Sequence, residues 1–265
     1  MLLRHSVSVA LILGLASTGL VAQDSADVLN AGVKAVAVAT TETEAAPAAA
    51  ITGMIKVEGK LERIEPVDLS SDPHCVELHG EESTMSNPIG VIRNDEGGLK
   101  DVFIQLTRNV PDKKYDRPDE PVVIDQIGCT YTPHVWGVMK KQDILIKNSD
   151  ATLHNIHALP KSNKEFNLAM PNKGDERTQK FKKAEDAVKI KCDVHPWMAT
   201  FAFVLEHPYF AVSGADGSFT LPTADLPDGD YGVKIWHEVL GEAEGTVKVA
   251  GGAGTFEHVF ETGKE

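Results

Sequence analysis

The stretch Lys191-Cys192-Asp193-Val194-His195-Pro196-Trp197-Met198 constrains this chain more than any other. It sets a thiol, an imidazole and a thioether at intervals of three residues. One Cys and two His in a trigonal set, with a weak axial Met, make the ligand set of a mononuclear electron-transfer copper site. The sulfur binds metal as a thiolate, so the site must favour its deprotonation. A loop this tight delivers three donors to one ion when it springs from a strand's end. The missing imidazole must then come from the end of a neighbouring strand. Leu153-His154-Asn155-Ile156-His157 offers two, shortly after the apolar run Asp143-Ile144-Leu145-Ile146-Lys147. On an extended segment their odd spacing sends them to opposite faces, so only one of the two can join a small site.

The pattern around these donors is that of short strands. Val188, Ile190 and Cys192 alternate with Lys189 and Lys191, which predicts a strand ending at Cys192 with its sulfur inward. Phe201, Phe203 and Leu205 alternate after the loop. Upstream, Ile51 to Val57 reads as a strand, and Asp72-Pro73-His74-Cys75 as a turn. Gly90 to Leu106 reads as a hairpin around Asn94-Asp95-Glu96-Gly97-Gly98, with Val102, Ile104 and Leu106 on one face. The polar stretches 108–121 and 161–176 read as loops. From His207 onward, Asp216-Gly217 and Asp228-Gly229 turns separate three more strands, which predict a small antiparallel sandwich of their own. No amphipathic helix stands out, so the expected class is all-β, packed as sandwiches.

The start of the chain is not read as fold. Arg4 and His5 precede an apolar run, Val7 to Val21, ending at Ala22-Gln23. Residues 1–22 are expected to be a cleaved signal peptide, with a retained anchor as the competing reading, and residues 23–50 a flexible tether. The expected divisions after that are 51–121, 122–206 and 207–262. With 39 Asp+Glu against 26 Lys+Arg, a net charge of -13 argues against a nucleic-acid backbone as partner. No later stretch is long and apolar enough to insert stably in a membrane. An exported chain with three cysteines is expected to hold one disulfide. If Cys192 is a ligand, Cys75 and Cys129 are left to pair, and the loop they close adds about 4 kcal/mol in the chain-entropy account.

Cys192-Asp-Val-His195-Pro-Trp-Met198 resembles the ligand loop of the amicyanins, small cupredoxins, in its Cys-x-x-His-x-x-Met spacing and in the Pro after the His. Asn148 to His157 is similar to the same family's first-ligand segment, including Asn directly after the His. The likeness extends to Tyr131-Thr132-Pro133 and covers roughly 122–206, with Lys141-Gln142 departing from the family's usual turn. The resemblance implies a Greek-key sandwich holding one type 1 copper through His154, Cys192, His195 and Met198. It further implies that Asn155 braces the Cys loop and that Pro196 and Trp197 ring an exposed His195. A periplasmic or secreted electron carrier follows, meeting a redox protein such as a c-type cytochrome or a dehydrogenase.

The long flanking segments resemble larger exported proteins of methylamine-utilisation-like type. The final unit is similar to carboxypeptidase-regulatory or transthyretin-like sandwiches. Copper delivery without redox cycling, and a structural or carbohydrate-associated module, are the alternative functions.

Other candidates have simpler roles. Met170 is expected in packing, with an axial role as the alternative. His134 is expected as a structural residue at a junction, with a second metal site alongside His74 or His79 as the alternative. Trp236-His237-Glu238 has no third group to orient it, so a satisfied surface His237 is expected. There is no nucleophile elbow, phosphate loop or paired zinc motif, hence no enzyme signature.

Overall fold

Residues 49–80, 84–88 and 90–263 are described by a computed structural model. The expected signal peptide, and the tether up to residue 48, lie outside them.

Among the described residues the elements run β1 (Ala50–Glu58), β2 (Val67–Asp68), α1 (Pro73–His79), β3 (Thr84–Met85), β4 (Phe103–Leu106), β5 (Val122–Ile127), β6 (Thr130–Thr132), β7 (Val135–Met139) and β8 (Ile144–Asn148). They continue with β9 (His154–Leu159), β10 (Phe166–Met170), β11 (Glu176–Gln179), β12 (Glu185–Lys191), β13 (Ala199–Leu205), β14 (Phe210–Val212), β15 (Ser218–Pro222), β16 (Gly229–His237), β17 (Gly241–Val249) and β18 (Gly254–Glu261). The class is all-β, as the strand patterning predicts. No helix among the described residues is long and apolar enough to cross a membrane.

β2 and β3 form a separate two-stranded pair, and two sandwiches account for the four larger sheets. One pairs the order β10-β9-β12-β13-β7 with β11-β8-β5-β6, all from residues between Val122 and Leu205. Its core holds Ile124, Ile146, Ile156, Val188, Ile190 and Val204. The strands are mixed: β5 runs parallel to β8, and β7 parallel to β13.

The other sandwich pairs β15-β1-β18 with β14-β4-β16-β17. Here the structure departs from the sequence reading. The C-terminal strands do not form a sandwich of their own; β1 lies between β15 and β18, and β4 lies between β14 and β16. Ile51, Ile55 and Val57 share one core with Val233, Val247 and Phe256. Local alternation shows that a strand has an apolar face but not which distant strand will cover it.

The Gly90–Leu106 hairpin reduces to one isolated bridge, Arg93 to Leu99, because β4 takes β14 and β16 as partners instead. Alternation along this stretch sorts side chains between two cores. Val102, Ile104 and Leu106 enter the outer core, while Phe103 faces the other way. There it stacks on Phe203 at 3.9 Å between ring centroids, and Trp236 packs against Phe201 and Phe203. This aromatic layer joins the two sandwiches. The stretch 161–176, read as loop, contains β10, whose half-exposed alternation is diluted by Asn167 and the small Ala169.

His134 lies at the same junction. Its Nε2 meets Glu238 Oε1 at 2.8 Å and its Nδ1 meets Ala199 O at 3.0 Å, while the Gly90 N–H donates to the same carboxylate oxygen. Burial opposes charge on His134, but the Glu238 hydrogen bond and charge outweigh it and raise its pKa above 6.5. A raised folded-state pKa adds stability that is complete below the unfolded value and is lost as pH climbs through the folded value. Glu238→Gln is therefore expected to cost about 2 kcal/mol near pH 5 and clearly less above about pH 9. Urea midpoints at the two pH values measure this; an equal loss at both would contradict the charged pair.

Candidate metal centre

Strand ends deliver the site. β9 opens with His154, and β12 ends at Lys191, so the chain leaves its strand at Cys192. The loop beyond folds back on itself: the Cys192 N–H donates to Met198 O at 3.1 Å, and the Met198 N–H donates to His195 O at 3.0 Å. β12 pairs with β9 on one side and β13 on the other, which brings the two ligand segments side by side.

His154, Cys192 and His195 come together, with ligand atoms all within 4.8 Å of one another. The two Nδ1 atoms stand 2.9 Å apart, and Cys192 Sγ is 3.8 Å from His195 Nδ1. A first-row ion with metal–nitrogen bonds of about 2.0 Å and a metal–sulfur bond of about 2.3 Å holds such atoms roughly 3.3 and 3.5 Å apart at tetrahedral angles. The spacings fit a single ion, and the S and N donors are those a soft or borderline metal takes. All three side chains are closed off from solvent, at 0%, 2% and 1% exposure.

Met198 is fully buried in the same core cluster as Cys192. Met170 sits opposite His154 in the strand register, but its sulfur is occupied by Gln126 Nε2 at 3.1 Å. His157 points elsewhere, as alternation requires, and its two nitrogens are held by Asp193 and Glu165.

Asn155 ties the two ligand segments together. Its Oδ1 accepts from the Asp193 N–H at 2.7 Å and from the Cys192 thiol at 3.2 Å, and its Nδ2 donates to Asn167. Tyr131 Oη donates to Asn155 O at 2.5 Å.

The electrostatics favour a thiolate. Burial pushes the Cys192 thiol up, but hydrogen bonds from His154 and His195 outweigh it and bring the pKa down to about 6. Burial pushes His154 down, and Asp150 together with Cys192 raises it to about 8. A cation arriving at these groups displaces the protons they carry.

One expectation fails here. His195 does not end on the surface. Its Nε2 meets Asp72 Oδ2 at 2.9 Å, and its ring lies 5.1 Å from Trp197. Asp72 caps α1, the one helix among the described residues, where the sequence read a turn: its Oδ1 accepts from the His74 and Cys75 N–H groups, and Pro73 follows it. A polar cap with Pro at the first helical position is a helix-start signal, but a seven-residue helix has too little periodicity to declare itself.

The Cys75–Cys129 disulfide anchors this helix over the site. Trp197 packs under it with Leu69 and Met85 and donates to Cys129 O, while Pro196 and Val194 stay exposed. His74 accepts from the Ala151 N–H and His79 bonds Gly128 O, so neither joins His134. His237 is buried rather than on the surface, and its Nδ1 accepts from the N–H groups of Val239 and Leu240.

Two carboxylates escaped the sequence reading. Asp150 Oδ2 meets His154 Nε2 at 3.0 Å, and the same side chain accepts from the Gly128 and Cys129 N–H groups. Asp150 stands four residues before its histidine, so closeness in sequence is the signal that could have found it. Asp72 is 123 residues from His195 and carries no such signal.

No protein-family model matches the chain, and no curated protein matches it. Solved structures that resemble it include a copper(I) form of an amicyanin mutant, 21% identical, covering 38% of this chain and 98% of that one at a TM-score of 0.30. A purple cupredoxin from Nitrosopumilus maritimus is 22% identical over 32% of this chain and 99% of its own, at 0.28. A copper-containing nitrite reductase from Thermus scotoductus SA-01 is 18% identical over 37% of this chain, at 0.29, and the match spans 25% of the reductase. Likenesses of this size assign neither ligand nor activity.

Proposed function

We propose that this is an exported copper protein that carries single electrons between redox proteins. His154, Cys192, His195 and Met198 would hold one ion, and Asn155 keeps the Cys loop in register. The observation that carries the reading is the buried convergence of one sulfur and two imidazole nitrogens within 4.8 Å, delivered by two separate segments. Copper bound there would supply a one-electron couple.

The chain's own residues do the rest. Asn155 and the loop's backbone bonds hold Cys192 and Met198 in place, the core of the ligand sandwich excludes water, and Asp150 and Asp72 hold the outer imidazole nitrogens. The apolar N-terminal run supports export to the periplasm or the medium. The partner is a redox protein of cytochrome c or dehydrogenase type, and the chain is a carrier, not an enzyme. Leu153 and Val194, each beside a ligand histidine, remain exposed and give such a partner an apolar approach.

Adding Cu(II) to the purified protein is expected to give an intense thiolate-to-metal absorption that saturates at one equivalent, and voltammetry a reversible wave. A colourless stoichiometric complex would reject the reading. The burial of His195 favours one alternative, copper carriage without cycling; a coloured complex with no voltammetric wave would select it.

A further inference from the structure

We propose that Asp72 is a positioning residue for the metal ligand His195: a carboxylate brought in from outside the ligand sandwich that fixes the imidazole's tautomer and favours the oxidised metal. This rests on the copper reading above. Asp72 Oδ2 takes two hydrogen bonds, from His195 Nε2 at 2.9 Å and from Thr152 Oγ1 at 2.8 Å. Its other oxygen is used up in capping α1. Two residues on from Pro73, Cys75 is bonded covalently to Cys129, in the turn that follows β5. The carboxylate is therefore held from the helix, the threonine and the disulfide at once, and only its bond to His195 points into the site. Both of its oxygens thus act only as acceptors.

An anion accepting from Nε2–H leaves the lone pair of Nδ1 directed toward Cys192 Sγ and His154 Nδ1, where the ion belongs. A carboxylate behind a ligating imidazole also makes it a better electron donor. Added negative charge beside a low-dielectric centre favours Cu(II) over Cu(I). Asp150 does the same for His154, but from within the ligand segment itself. Asp72 belongs to a segment that contributes no ligand, so through this side chain the N-terminal extension makes a polar contact with a ligand of the redox centre.

Asp72→Asn separates positioning from scaffolding. Asn caps a helix as well as Asp does, so α1 should persist. Its amide N–H₂, however, then faces the Nε2–H of His195, donor against donor. Asp72→Ser also caps the helix but is too short to reach the ring. Reduction potentials of the copper-loaded proteins are the readout, with melting of the metal-free proteins as the control for folding. Both variants are expected to shift the Cu(II)/Cu(I) equilibrium toward Cu(I) at least tenfold, about 59 mV for a one-electron couple. They should also lose Cu(II) to a chelator faster than the parent.

Potentials and release rates unchanged within twofold would overturn the inference, whether or not the variants melt lower, because a purely structural role moves melting alone. Failure of the parent protein to form a sulfur–copper absorption is a different result, and it rejects the copper reading itself.

Discussion

Cys192→Ser is expected to abolish the thiolate-to-metal absorption and to weaken copper binding by more than the ten- to hundredfold that loss of an outer hydrogen-bond partner costs a metal site. The serine hydroxyl does not ionise near neutral pH, so one of the three proposed donors loses its charge and its softness together. The two imidazoles remain and still bind divalent cations, but without sulfur in the coordination shell. The fold should tolerate the change. Asn155 Oδ1 and the His195 N–H, which flank the sulfur at 3.2 and 3.4 Å, offer an acceptor and a donor to a hydroxyl of similar size. A loss of no more than about 1–2 kcal/mol in the metal-free protein is expected. Titration with Cu(II) and a urea melt, run on the same preparation, check both halves. Retained colour would move the sulfur ligand elsewhere, and among the described residues every other cysteine is in the disulfide.

Removing that disulfide should have the largest effect on stability. Cys75 and Cys129 are separated by 54 residues, and closing a loop of that length lowers the entropy of the unfolded chain by the equivalent of about 4 kcal/mol. Both side chains are fully buried beneath α1. The pair Cys75→Ser with Cys129→Ser should therefore lower the urea midpoint by an amount equivalent to about 4 kcal/mol, with additional amide exchange in 72–80. The bonds of His74, His79 and Asp72 to residues 128, 151 and 152 hold the helix only non-covalently. A loss below about 1 kcal/mol would mean that these bonds, or residual order in the unfolded chain, do the work assigned to the crosslink.

The ligand sandwich was legible in the sequence because its information is local. Strand alternation placed Cys192 inward at a strand end, alternation separated His154 from His157, and counting cysteines left Cys75 with Cys129. What did not show was long-range. Nothing in Ile51–Val57 says that it will lie between β15 and β18, since an apolar face names no partner. Nothing in Asp72-Pro73-His74-Cys75 says that its carboxylate will meet an imidazole 123 residues away. The expectation of an exposed His195 failed for that reason: it came from a resemblance limited to residues 122–206, and the segment that buries the ring lies outside that stretch.

In the proposed centre one sulfur and two imidazole nitrogens share a single ion. X-ray absorption at the copper edge of the stoichiometrically loaded protein tests it most directly. One short sulfur and two nitrogen scatterers are expected in the inner shell, with the sulfur absent in Cys192→Ser. An inner shell of nitrogen and oxygen alone in the parent protein would contradict it.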